Sequence, residues 1–174
     1  ENNVMREACK DNLRQYLSKV VRGEAKINGK QLFLHELVAE HIGSGWANYS
    51  EIASEESRQI NQLQWDTQYK HYKEMAENVS GLERCMVLSD FSGSMSGTPI
   101  QVAGALGIMI SSVLPEPWRN KFISFNTNPQ LLEIPDSTLA DKMEYVLNSP
   151  WGGGTDFLAA IQLILDVGIK NQLS

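Results

Sequence analysis

The sequence predicts an α/β fold, with an α-helical segment over residues 1–80 followed by an α/β domain over residues 81–174. Three observations predict it. Up to about residue 80, apolar residues recur at helical spacing. Beyond it, the short apolar runs RCMVLSD (84–90), NKFISF (120–125) and PQLLEI (129–134) read as strands. Stretches of helical length lie between and after these runs, and strands alternating with helices favour a parallel sheet covered by helices.

Each element has its own signal. Residues 3–22 place Val4, Ala8, Leu13, Leu17, Val20 and Val21 on an amphipathic helix that Gly23 ends. Asn28-Gly29 is a turn signal, QLFLHELVAEHI (31–42) is a shorter helix, and GSGW breaks it. A long helix is expected from an N-cap at Ser50 to about Asn78. Its stripe of Trp65, Tyr69, Tyr72 and Ala76 suits packing against the following domain better than a nucleobase or a partner. After the first strand, residues 98–114 form a helix with Pro99 in its first turn, and Ser96 or Thr98 is expected to cap it. The runs 120–125 and 129–134 form an antiparallel pair across the NTNP turn. Residues 136–147 form a helix, NSPWGGG is a loop, and a last helix over 155–170 opens on Thr155 or Asp156.

Composition excludes some functions. The 174 residues are 42% hydrophobic and 21% charged, ordinary for a globular chain. No apolar run approaches the roughly 18 residues of a membrane span, so no membrane role is expected. The formal net charge of −6 disfavours a protein that coats nucleic acid. Charge is uneven: residues 1–30 hold seven Lys/Arg against four Asp/Glu, and residues 81–174 hold five against nine. The basic start favours a solvated helix face over RNA contact. Cys9 and Cys85 lack metal-site spacing. Cys85 opens an apolar run, so a buried thiol and an intracellular, cytoplasmic setting are expected. His35, His41 and His71 have no Cys or His partner at ligand spacing, and Trp118 and Trp151 read as packing residues. Beginning with Glu1 in helical character, the chain reads as a piece of a longer polypeptide.

The chemistry concentrates where the first strand ends, in MVLSDFSGSMSGTP. Ligands of such sheets collect at the carboxyl ends of strands. In an extended loop Asp90, Ser92 and Ser94 face one way. One carboxylate and two hydroxyls offer oxygen alone, the donor that hard cations such as Mg²⁺ take. Cys and His, which would favour zinc, are absent there. A second oxygen source is GGGTD, where glycines allow close approach and Thr155 stands beside Asp156.

D-x-S-x-S after an apolar strand, with T-D in a later glycine-rich loop, resembles the metal-ion-dependent adhesion site of the von Willebrand factor A fold. The wording DFSGSMSGTP, EPW, ISFNTNPQ and GGGTDF is similar to an uncharacterised branch of that fold, of the domain of unknown function 2828 type. That branch places helices before the A domain, in a layout distantly similar to the Ro autoantigen. GEAKINGKQLFLHELV and LQWDTQYKHY fit its helical part. The resemblance implies a Rossmann-like A domain, truncated here at its C-terminus, since the fold adds a later strand ending in another aspartate. It implies Asp90, Ser92, Ser94 and Thr155 as ligands of Mg²⁺, or of Mn²⁺ or Ca²⁺, with Asp156 in support. Asp166 lies too far along its helix to replace the missing acid. The function implied is a non-catalytic module that binds a carboxylate of a protein partner through the cation.

Enzymatic readings fit less well. A phosphatase that starts from an aspartate needs a second acid two residues on, and that position is Ser92. A phosphate-binding loop needs Gly-Lys-Ser/Thr, and a serine-hydrolase elbow needs G-x-S-x-G, which GSMSG is not. No histidine follows His71. The alternatives are a ribonucleoprotein component that binds RNA through its helices, and a metal-dependent phosphoesterase.

Overall fold

A computed structural model describes residues 2–29, 32–42, 54–150 and 153–171. Helix α1 (Asn2–Val21) is followed by α2 (Leu34–Ile42) and α3 (Glu55–Ala76). Strand β1 (Val87–Asp90), helix α4 (Thr98–Val113), strands β2 (Lys121–Phe125) and β3 (Gln130–Glu133), and helices α5 (Leu139–Asn148) and α6 (Phe157–Lys170) complete the order. The architecture is mixed α/β: six helices and one three-stranded sheet among the described residues. Sheet order is β1-β2-β3, with β1 parallel to β2 and β3 antiparallel to it. The hairpin across NTNP is therefore as the sequence indicated. The expected cap Ser50, and Trp151, lie outside the described residues, as does the His41 side chain.

Helices lie on both faces of the sheet. Val87, Leu88, Ser89 and Asp90 pair in register with Phe122, Ile123, Ser124 and Phe125. Because successive strand residues alternate faces, Ser89 and Phe122 look one way, Leu88, Ile123 and Phe125 the other. Gly107 of α4 sits against Ser89 and Phe122, and Phe157 of α6 meets Phe125 edge to face, with ring centroids 6.3 Å apart. The main core lies on the α4 side. There Phe91, Ile108, Met109, Phe122, Leu132 and Met143 join Leu37 and Val38 of α2 and Trp65 of α3. The helical segment and the strands thus share one core. The aromatic stripe packs as expected: Trp65 is buried, with Tyr69 and Tyr72 against the same cluster.

Polar side chains fasten the helices to this core. Gln68 donates to the carbonyls of Gly29 (2.7 Å) and Leu32 (2.8 Å). Gln62 accepts from the Leu139 amide at 2.6 Å, satisfying one of the free amides at the start of α5. Thr138 and Asp141 form a reciprocal capping box there. At the start of α3, capped by Ser54, Glu56 takes the Arg14 guanidinium of α1 at 2.8 Å. Its carboxyl is held below the usual carboxylate range, first by its own backbone amide and then by Arg14. Gly29 passes close to α3: a Cβ there would lie 2.7 Å from the Gln64 carbonyl oxygen and 3.0 Å from its Cα. Helix backbone cannot swing aside, so Gly29→Ala is expected to cost about 1–3 kcal/mol, read as a lower urea midpoint.

Two local expectations need correction. Cys85 is exposed, not a buried thiol. Residues Leu82–Arg84 form a single 3₁₀ turn and the strand begins only at Val87, so Cys85 never enters the sheet. Nor do Ser96 or Thr98 cap α4. The cap position is Gly97, at φ 86°, with no side-chain cap bond, and Thr98 is already helical. The glycine is needed because the chain turns through left-handed backbone there. Trp118 is buried as packing. No helix among the described residues is long and apolar enough to cross a membrane.

Candidate metal centre

Strand β1 delivers Asp90 to the carboxyl end of the sheet, where Phe91 N still donates to Phe125 O at 3.1 Å. The chain then turns. Asp90 Oδ1 accepts from the Ser92 amide at 2.8 Å, the local bond by which aspartate favours turns. One 3₁₀ turn, Gly93–Met95, follows. It brings the hydroxyls of Ser92 and Ser94 within 3.1 Å of each other. Ser92 is buried, Asp90 half-buried and Ser94 exposed.

The second loop meets this turn through its backbone: Gly93 N donates to Gly153 O at 3.1 Å. Gly153 has φ 71°, a conformation that glycine adopts without the Cβ penalty. The residues after β2 hold the loop at three points. Asn126 Nδ2 donates to Pro150 O at 2.8 Å, Thr127 Oγ1 donates to Gly154 O at 3.1 Å, and Asp156 N donates to Asn126 O at 3.2 Å. Asn126 Oδ1 accepts from Asn128 N at 2.8 Å.

Of the sequence-derived residues, the structure brings together Asp90, Ser92 and Ser94. It places Thr155 and Asp156 on the adjoining loop, both exposed. Among the described residues Thr155 makes no hydrogen bond to the first loop. Asp156 caps α6, with Oδ1 accepting from Ala159 N at 2.9 Å. Sequence reasoning missed Asn126 and Thr127, taking NTNP only as a turn. The signal was available: a strand parallel to β1 ends at the same edge of the sheet.

The donor set fits a hard cation on two counts. The Ser92 and Ser94 hydroxyls are hydrogen-bonded to each other at 3.1 Å, a separation that adjacent octahedral ligands at about 2.0–2.1 Å also have, about 3 Å. The stretches 90–98, 126–130 and 153–158 contain no Lys, Arg or His, so Asp90 and Asp156 are their only charged groups. Among the described residues no three His, Cys, Asp or Glu side chains converge. A cation here would therefore rest on one carboxylate, hydroxyls and water.

An α/β protein with an oxygen-rich pair of loops at the carboxyl end of a parallel strand pair is the class that fold and site define. The chain belongs to the family described as Domain of unknown function (DUF7788), whose model matches residues 84–174. It is also 29% identical, over 159 residues, to Uncharacterized protein L728 of Acanthamoeba polyphaga mimivirus. That match covers 91% of this chain and 25% of the viral protein, so the chain spans about a quarter of that relative's length. No solved structure matches the chain.

Proposed function

We propose that the chain is a divalent-cation-dependent protein-binding module, a von Willebrand A-type domain over 81–174 preceded by the helical segment 1–80. The carrying observation is the bond from Gly93 N to Gly153 O, which sets the D-x-S-x-S loop against the GGGTD loop. Asp90, Ser92 and Ser94 would hold Mg²⁺, or Mn²⁺ or Ca²⁺, with Thr155 direct or through water. Asp156 supports the second loop by capping α6. Bound there, the cation would supply a Lewis-acid position for a carboxylate of a protein partner. Apart from the cation, the loops offer that carboxylate no basic side chain, which makes binding metal-dependent. The role is non-catalytic: no second acid stands two residues after Asp90, and the described loops carry no histidine. The free, exposed Cys9 and Cys85 suit a reducing, intracellular compartment.

Calorimetric titration with Mg²⁺ tests the reading. The wild-type chain is expected to bind, and Asp90→Ala to abolish binding while the unfolding temperature stays within a few degrees. Equal affinity in the two proteins, or no heat from the wild type, rejects the assignment.

A further inference from the structure

We propose that Asn126 is a positioning residue for the candidate metal centre, holding the second loop at the distance from Asp90 that a shared cation needs; this rests on the function proposed above. Asn126 is 3% exposed and stands directly after β2. Both ends of its side-chain amide are used on backbone: Oδ1 takes Asn128 N, and Nδ2 gives to Pro150 O. Its own carbonyl takes Asp156 N, and Thr127 next to it gives its hydroxyl to Gly154 O. Two consecutive residues thus grip the second loop at positions 150, 154 and 156. The loops themselves are joined by the bond from Gly93 N to Gly153 O. The spacing of the loops is therefore carried by β2, which is locked in parallel register to β1, and passed on through the Asn126 amide. None of these atoms belongs to the proposed ligand set, so Asn126 acts through Thr155 and Gly153, not on the cation.

The test pairs variants that separate the tie from the turn. Asn126→Asp keeps an acceptor for Asn128 N but sets an oxygen against Pro150 O. Asn126→Ala removes both bonds. Thr127→Val removes only the grip on Gly154 at an exposed position, and Thr127→Ser restores it. Mn²⁺ affinity is read by electron paramagnetic resonance and Gly93 amide protection by hydrogen exchange. Both Asn126 variants are expected to weaken Mn²⁺ binding about 10-fold or more, as loss of residues supporting metal ligands does. Gly93 protection should fall about tenfold, the scale of one lost hydrogen bond, while the Ile123 amide inside the sheet keeps its protection. Thr127→Val should show a smaller loss, and Thr127→Ser wild-type values. If the wild type binds Mn²⁺ and both Asn126 variants bind it equally well, the positioning role is overturned and the metal centre stands. If the wild type binds no Mn²⁺, while Ile123 protection shows it folded, both are overturned.

Discussion

Replacing Phe122 by alanine is expected to remove about 3–5 kcal/mol of stability, the usual cost of deleting a buried phenyl ring. Phe122 is fully buried, the second residue of β2. Its ring stands 5.9 Å from that of Phe91 and fills the space that Gly107 leaves open on α4. Strand and helix are held apart by their own backbones, so the cavity cannot close. A domain of this size has only about 5–15 kcal/mol in all, so the variant should unfold at a much lower urea concentration with little change in slope. Leu165→Ala on α6 is the control, because Leu165 is 53% exposed and its loss should change stability by about 0.5 kcal/mol or less. Equal losses at the two positions would mean that α6 is covered in solution and that the core is wrongly located.

Gly153→Ala is expected to disturb the candidate centre more than any substitution outside its ligands. The residue has φ 71°, which costs an L-residue about 1–2 kcal/mol. A Cβ there would also collide with Thr127 Oγ1, the hydroxyl that holds Gly154. Together these cost about 2–4 kcal/mol locally, enough to lift the loop from Gly93 without unfolding the sheet. The expected result is loss of Gly93 amide protection and weaker Mg²⁺ binding, with the amides of β2 unaffected. Adding Thr127→Ala removes the collision but also a tie to the loop, so the double variant should regain only part of the affinity. Full wild-type protection of Gly93 in Gly153→Ala would show that the two loops do not meet at this residue.

Much of the fold was legible in the sequence because it rests on local signals. Among the described residues, periodicity and cap signals located the helices to within a few residues, the expected start of α3 at Ser50 lying outside them, and the NTNP turn identified the β2–β3 hairpin. The oxygen-bearing side chains were legible for the same reason. Asp90, Ser92 and Ser94 are close in sequence, and one Asx turn gathers them. Errors came where a neighbouring element decides. Cys85 looked buried because it begins an apolar run, but the 3₁₀ turn at Leu82–Arg84 delays the strand past it. Asp156, by contrast, opens and caps α6 as the sequence indicated.

The amino-acid order by itself therefore determined the helices, the strands and the cluster of oxygen donors after β1, because hydrophobic period and turn chemistry act over a few residues. Only the tertiary structure decided that α2 joins α3 and the sheet in one core, that α6 packs on the opposite face against β2 and β3, and that Asn126 and Thr127 hold the second loop beside the first. Those contacts join residues that are far apart along the chain. They are settled by parallel pairing of β1 with β2 and by which backbone groups are left seeking partners once the sheet has formed.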